Sequence, residues 1–376
     1  MKTLGLYIHI PFCVSKCAYC DFYSLAGCDR AEEYINALKI QIKSFKKRAS
    51  GYTVDTIYFG GGTPSCIPPE YISDVLATVR KTFKVHPKAE ITLEANPGTL
   101  NSDNLSTYKS IGINRLSLGL QSANNGELKM LSRIHTWEDF ESSFVLARLE
   151  GFDNINVDIM YALPMQSRTH LSETIDAVIN LGPEHISFYG LKIEENTPFG
   201  KNPNIAKLVP SEETQYRMYM ESAKKFEDKG YMQYEISNFA KKGKKCRHNL
   251  KYWRCENYLG FGVAAASLFE GELFSYVKDI DAFIKDPKAP TILESSQKLS
   301  EKEFATQYIM LGMRLTSGID RMEYLRRFGR NLDDDYYRKL KPFIEKNLAE
   351  KTTGGYHLTR RGMLVSNYIL SEILEF

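Results

Sequence analysis

Three cysteines, Cys13, Cys17 and Cys20, fall within eight residues in the run Tyr-Ile-His-Ile-Pro-Phe-Cys-Val-Ser-Lys-Cys-Ala-Tyr-Cys-Asp-Phe-Tyr from Tyr7 to Tyr23. A short apolar strand pattern, Leu4 to Ile10, ends at Pro11. Proline has no amide to donate and biases its neighbour away from helix, so the cysteines sit on the loop after the strand. Thiolates are the usual ligands of iron–sulfur clusters, and three on one short loop can hold three irons of a cubic [4Fe-4S] cluster. No fourth cysteine stands nearby at a ligand-like spacing, which leaves one iron open to a small molecule. A zinc knuckle is an alternative, but zinc takes a closed tetrahedral set and would need His9 or Cys28 as fourth ligand. Three buried thiols without metal are another.

Further polar residues stand at strand ends. Gly60-Gly61-Gly62-Thr63-Pro64 follows the apolar run Thr56 to Phe59. Glycines allow positive φ and close backbone approach, and consecutive amides there can form an anion-binding nest; a plain tight turn is the simpler reading. Glu94 ends the strand Glu90 to Ala95, and Gln121 ends Arg115 to Gln121. Asp158 interrupts Val157, Ile159 and Met160, and Arg133 lies just past the fourth strand. Burying any of these unpartnered is costly. Each alone reads as a satisfied core group, but four on one rim read as a binding site. Acids can hold ribose hydroxyls or balance a positive charge, and arginine can clamp a carboxylate with two hydrogen bonds.

These residues require a scaffold that brings strand ends together. Tyr34, Leu38, Ile42 and Phe45 recur at helical spacing after the cysteine loop. Strands then alternate with helices: Pro69 to Phe83, Ser102 to Ile111, Trp137 to Leu149, Leu171 to Leu181 and Glu212 to Lys229 are helical, with strands Ile155 to Leu163 and His185 to Ile193 completing the series. Six strand–helix units imply a parallel sheet covered by helices. Right-handed crossovers curl it toward a TIM-type barrel, with the chemistry beyond the carboxyl ends of the strands. Six units are too few to close it. The expected class is α/β: an open, partial (β/α)6 barrel over residues 1–235. A connecting region over 236–295 contains an extended stretch from Leu273 to Val277 and a linker at Pro287 to Pro290. A C-terminal α-rich unit covers 296–376. There Ser300 and Glu303 form a capping box, Gly354-Gly355 turns a hairpin and Thr359 to Leu374 forms a last helix, a winged-helix-like pattern.

The totals narrow the classes. The net charge of +3 over 376 residues gives no field that invites nucleic acid. In the C-terminal unit, Asp333, Asp334 and Asp335 oppose Arg326, Arg327, Arg330, Arg360 and Arg361, which favours a lid or a partner-docking role. No apolar run approaches the ~20 residues that span a bilayer. The first residues lack the features of a signal peptide. Seven cysteines, three of them clustered, read as metal ligands plus free thiols in a reducing compartment, so the expected location is the cytosol.

The Cys-x3-Cys-x2-Cys loop, with Tyr19 just before its last cysteine, resembles the signature of the radical S-adenosylmethionine (SAM) enzymes. The resemblance implies that the open iron binds the amino and carboxylate groups of SAM. An electron donor then reduces the cluster, which cleaves the sulfonium to methionine and a 5′-deoxyadenosyl radical. Gly-Gly-Gly-Thr-Pro-Ser, Leu-Glu-Ala-Asn-Pro-Gly, Leu-Ser-Leu-Gly-Leu-Gln-Ser and Val-Asp-Ile-Met-Tyr-Ala-Leu-Pro extend it to the oxygen-independent coproporphyrinogen III dehydrogenase group. By that resemblance Tyr7, Tyr19, Gly61, Gly62, Thr63, Glu94, Gln121, Arg133 and Asp158 surround SAM. The dehydrogenase carries a further Cys two residues after its third cluster ligand and an extension ahead of the cluster strand. Here position 22 is Phe and the strand starts almost at Met1, which argues against decarboxylation of the porphyrinogen.

The segment Cys246-Arg247-His248-Asn249-Leu250-Lys251-Tyr252-Trp253 resembles the His-Asn-x-x-Tyr-Trp motif of the HemW-type radical SAM heme chaperones, and Tyr258-Leu259-Gly260-Phe261-Gly262 continues the match. That resemblance implies heme binding and transfer of heme to respiratory proteins. Imidazole, thiolate and phenolate all ligate heme iron, so His248, Cys246 and Tyr252 are the candidate ligands. A packed aromatic corner with His248 hydrogen-bonded inside it is the alternative. Lys241, Lys242, Lys244 and Lys245 just before it read as a solvated loop or as a surface that steers heme propionates, an acidic partner or the inner face of a membrane. A homodimer is a further partner expectation.

Overall fold

In the computed structural model, which describes residues 2–374, the expected alternation is present. The strands are β1 (Lys2–Ile10), β2 (Tyr52–Gly61), β3 (Lys84–Ala95), β4 (Arg115–Gln121), β5 (Ile155–Tyr161) and β6 (His185–Gly190). They lie in that order, all parallel. Their near-continuous burial is what a parallel sheet covered on both faces requires; every residue of β4 is buried. The covering helices are α1 (Ala31–Ser44), α2 (Pro69–Thr82), α3 (Ser102–Ser110), α4 (Trp137–Leu149), α5 (Arg168–Leu181) and α6 (Glu212–Asp228). Helix α1 buries Tyr34, Leu38 and Ile42, the stripe its periodicity predicts. Asn101 and Thr136 cap α3 and α4 with capping boxes, which sets where each helix begins.

The barrel stays open because its two edge strands find other partners. A short strand β7 (Asn238–Ala240) runs antiparallel to β6. The chain then crosses to the far edge, where β8 (Tyr258–Phe261) pairs in parallel with β1. Strands β9 (Ala266–Phe269), β10 (Glu272–Tyr276) and β11 (Leu293–Lys298) continue that edge antiparallel. The expected linker at Pro287 to Pro290 is only the turn into a short 3-10 helix, Pro290–Ile292, that leads into β11. The expected boundary at residue 295 therefore falls inside a strand.

The C-terminal residues build a second core. Helix α7 (Arg247–Trp253) precedes β8, and helix α8 (Glu301–Gly312) begins at the Ser300 box. Helices α9 (Arg321–Phe328) and α10 (Leu332–Glu345) pack Tyr324, Phe328, Leu340 and Phe343 around a three-stranded sheet of Ile319–Asp320, Ala349–Lys351 and Gly355–Leu358. The last helix is two: Arg360–Leu364 and Ser366–Ile373. Val365 between them leaves helical geometry at φ −113°, ψ 23°, its amide donating back to Gly362 O over a tightened turn. Met1, Glu375 and Phe376 lie outside the described residues.

Candidate functional site

The cysteine loop leaves β1 at Pro11 and folds back on itself. Phe12–Cys13 pairs with Leu25–Ala26, and Gly27 N donates to Cys13 O at 2.9 Å. The middle of the loop is pinned to neighbouring loops: Ala18 N donates to Leu131 O at 3.2 Å, and Phe199 N to Ala18 O at 3.0 Å. A small core of Leu131, Met160, Leu163, Phe199 and Ile205 packs against Tyr19. Cys13, Cys17 and Cys20 are all half-buried and close enough that the charge on one acts on the others. Burial raises the Cys13 and Cys20 thiols, and Thr63 Oγ1 donates to Cys13 Sγ at 3.6 Å.

The surroundings test which metal fits. His9 is spent: Nδ1 bonds the Tyr7 hydroxyl at 3.1 Å and Nε2 the Tyr23 carbonyl at 3.0 Å. Burial drives its pKa down to about 4. Cys28 contacts Cys66 instead of the loop thiols. Neither fourth ligand of a zinc knuckle is therefore on offer. Among the described residues no three His, Cys, Asp or Glu side chains gather around a single ion. A cubane makes a different demand, because each thiolate bonds its own iron. Three thiols on one pinned loop with no fourth protein ligand fit it.

The glycine turn is the plain tight turn and not an anion nest. Gly61 N donates to Glu94 Oε2 (3.2 Å), Gly62 N to Ile10 O (2.8 Å) and Thr63 N to Phe12 O (2.7 Å), so all three amides are used. The glycines serve packing instead. At φ +113°, a Cβ on Gly61 would lie 2.5 Å from the His9 ring; one on Gly62 would lie 2.5 Å from Phe12 O. The turn thus seats the first residues of the cysteine loop.

Around it the other candidates converge. Glu94 accepts from the Tyr58 hydroxyl at 2.8 Å as well as from Gly61. Burial, reinforced by the charge of Asp158, pushes its pKa up to about 7. Asp158 accepts from Asn156 Nδ2 at 2.8 Å, and burial raises its carboxyl too. Neither carboxylate makes an ion pair among the described residues, although Arg115 and Arg133 act on Asp158 from farther off. Arg133 donates to Cys17 Sγ (3.5 Å), Asn96 Oδ1 (2.8 Å) and Gly119 O (2.6 Å), while its buried Nε has no partner. Asn96 Nδ2 donates in turn to Thr63 Oγ1 at 2.7 Å. Gln121 sits at φ 77°, a strained backbone for a residue with a side chain. Tyr7 stacks on Tyr58 with ring centroids 6.3 Å apart, and the Tyr19 phenol feels Arg133, Cys17, Cys20 and Asp158. Two unpaired acids and an orphaned guanidinium N–H beside a three-thiol loop suit a ligand that carries both a positive charge and a carboxylate. A cleft between the cysteine loop and the loop after β4 is lined by Val14, Cys17, Thr63, Asn96, Arg133 and His135. Exposed Val14 and Ile134 make its rim apolar.

The His248 segment lies at the other end of the barrel. Residues Arg247–Trp253 form helix α7, set against the amino-terminal ends of the strands. Cys246 precedes it and gives no side-chain cap; Glu90 from β3 does so instead, accepting from the amides of Arg247 and His248 at 3.0 Å each. Lys251, almost fully buried, pairs with Asp55 (2.9 Å) and Glu256 (3.1 Å). His248 is 1% exposed. Its Nδ1 bonds Thr56 Oγ1 and its Nε2 the Tyr252 hydroxyl, both at 2.8 Å, and its ring stacks on Tyr58. Burial lowers its pKa to about 3. The Cys246 thiol is buried near Glu90, its pKa pushed up to about 12 mainly by desolvation. These three candidates therefore form the packed aromatic corner in this conformation, with both imidazole nitrogens engaged. Tyr58 joins them to the SAM candidates: its ring stacks on His248 and its hydroxyl reaches Glu94.

Sequence reasoning missed Asn96, Tyr58 and Glu90. The Asn96-Pro97-Gly98 turn after β3 was the available signal for the first; the other two roles depend on tertiary partners. The lysine loop is partly tied down, Lys241 donating to Gly182 O (2.9 Å) and Lys244 to Asp153 O (2.8 Å). In the C-terminal unit Arg326 and Arg327 pair with Glu323, Arg330 with Asp335 and Arg360 with Glu227.

Comparison with known proteins agrees with this geometry. The radical SAM superfamily model matches residues 7–178, and the HemN C-terminal domain model matches residues 299–365. The chain is 33% identical to Heme chaperone HemW of Bacillus subtilis (strain 168), covering 98% of each chain. It is also 33% identical to Heme chaperone HemW of Escherichia coli (strain K12), covering 100% of this chain and 99% of the relative. Its fold superposes on the radical SAM enzyme coproporphyrinogen III oxidase (HemN) from Escherichia coli with a TM-score of 0.86, at 22% identity, covering 99% of this chain and 90% of that one. With a cysteine loop and polar mouth of the radical SAM kind, and relatives that match it from end to end, the chain belongs to the HemW family of radical SAM proteins.

Proposed function

We propose that this chain is a heme carrier that holds a [4Fe-4S] cluster and SAM at the barrel mouth and passes heme to acceptor proteins. Cys13, Cys17 and Cys20 hold the cluster. Glu94, Asp158 and Arg133, with Tyr7, Tyr19, Gly61, Gly62, Thr63 and Gln121, orient SAM against it. Bound and reduced by an electron donor, the cluster supplies one-electron cleavage of SAM. The single observation behind the carrier reading is that the likeness to heme chaperones runs through the barrel, the α7 segment and the C-terminal unit alike. Exposed Phe22 (71%) stands where the porphyrinogen dehydrogenase has its further cysteine, which weighs against that enzyme as the alternative. In this reading the barrel, the α7 region and the C-terminal helices take separate tasks, the last as a lid or docking unit. Ligation of heme by His248 requires α7 to withdraw from Thr56 and Glu90. No helix among the described residues is long and apolar enough to cross a membrane, and the loop around Lys242 supplies the contact with an anionic membrane surface.

Anaerobic reconstitution followed by heme titration and a coproporphyrinogen conversion assay tests the proposal. Stoichiometric heme binding without conversion is the expected result, weakened in His248→Ala. Conversion of the porphyrinogen by the reconstituted protein would overturn it.

A further inference from the structure

Two cysteines outside the cluster set face each other. Cys28 Sγ and Cys66 Sγ are 3.2 Å apart although the residues are 38 positions apart in the chain, and both side chains are half-buried. Each is tied to the segment that carries Cys13. Cys28 follows the strand Leu25–Ala26 that pairs with Phe12–Cys13. Cys66 ends the turn after the glycines, its amide donating to Thr63 O at 2.9 Å, while Thr63 N and Oγ1 hold Phe12 O and Cys13 Sγ. A disulfide has an S–S length of about 2.05 Å, so closing the pair needs a shift of roughly 1 Å, within reach of side-chain rotation.

We propose that Cys28 and Cys66 form a redox-active dithiol that straps the cysteine loop to the glycine turn by thiol–disulfide exchange with a low-molecular-weight disulfide. One thiolate attacks the small disulfide, releasing one small thiol and leaving a mixed disulfide on the protein. The second thiolate attacks the protein sulfur of that bond and releases the second small thiol. The two protein thiols are oxidised, the small disulfide is reduced to two thiols, and the two protein protons leave with them. The strap spares the three loop thiols and keeps Cys13 in place when the cluster is absent or damaged. It goes beyond the heme reading and does not require it.

The test uses the reconstituted full chain held anaerobically in buffers of glutathione and its disulfide, followed by alkylation and non-reducing peptide mapping by mass. The expected product is a Cys28–Cys66 cross-linked peptide pair with the cluster's visible absorption retained. In Cys28→Ser or Cys66→Ser the partner thiol accumulates a stable glutathione adduct that the wild type does not. After chelation of the cluster, the oxidised wild type recovers it severalfold faster than the double serine variant once iron and sulfide are supplied. The proposal is overturned if both thiols stay free in oxidising buffer, if glutathione adducts persist on the wild type, or if Cys66 links first to Cys13, Cys17 or Cys20. The wild-type map decides the matter even where a variant folds poorly.

Discussion

Glu94→Gln should remove a proton linkage from SAM binding. Glu94 is buried at the mouth with a pKa pushed up to about 7, held by Tyr58 and Gly61 and paired with no cation. A cationic ligand favours its ionised form. About half of the free protein is ready at pH 7, and roughly one tenth at pH 6, so SAM affinity should fall about fivefold from pH 7 to 6, nearly tenfold per unit below that, and level off above 7. The α-amino group of SAM titrates in the same window, at about 7.7–8.0 for a typical α-amine, but does so equally in both proteins. The ratio of the two affinities therefore isolates Glu94. Calorimetric titration of SAM into reconstituted wild type and variant at pH 6, 7 and 8 should give a ratio that climbs about fivefold from pH 6 to 7 and under twofold from 7 to 8. A ratio constant across that range would refute the assignment of Glu94 to the site.

Gly62→Ala puts a methyl 2.5 Å from the Phe12 carbonyl, so the cysteine loop must shift; iron and sulfide per chain after reconstitution should drop by more than half while far-ultraviolet dichroism is unchanged. Glu90→Gln weakens the cap on α7 and should cost about 1–2 kcal/mol in urea unfolding, with faster amide exchange at Arg247 and His248. His9, His135 and His248 are neutral in the fold, with pKa values lowered to about 4, 4 and 3 from 6.5. The unfolded chain takes up protons first, so their contribution is complete above pH 6.5 and is lost as pH falls toward 4, about 1.4 kcal/mol each at pH 5.5. Glu94 and Glu235, both raised to about 7, act in the opposite sense and offset most of that loss, by about 2 kcal/mol each at pH 5.5. The cleaner readout is the difference between His248→Gln and the wild type: their unfolding free energies in urea should shift by about 1.4 kcal/mol in the variant's favour between pH 7.5 and 5.5.

The barrel was legible because its signals are local. Strand Arg115–Gln121 and helix Trp137–Leu149 stand where pattern and capping residues place them. The cysteine loop was legible for the same reason, since its three ligand candidates share eight residues. Of the sheet extension from β7 to β11, only the extended stretch at Leu273 to Val277, which is β10, was. Its strands are three to six residues long, too short for a clear period, and β11 is exposed throughout and polar after Leu293. The choice between nest and tight turn at the glycines stayed open because the acceptors that decide it, Glu94, Ile10 and Phe12, come from other strands. His248 presents the hardest case. Its neighbours in the chain suggest a ligand, while its neighbours in space, Thr56 and Tyr58, make it a core residue.

The position of β1 between β2 and β8 has a consequence for how the chain is made. The strand that carries the cluster loop gets one neighbour about fifty residues later and the other only when Tyr258–Phe261 have been synthesised. Until then a nascent chain at the ribosome presents β1 with an unpaired edge, and pairings of such long sequence separation form slowly. On the proposed assignment of the cluster to Cys13, Cys17 and Cys20, its assembly would wait for the last third of the polypeptide to arrive.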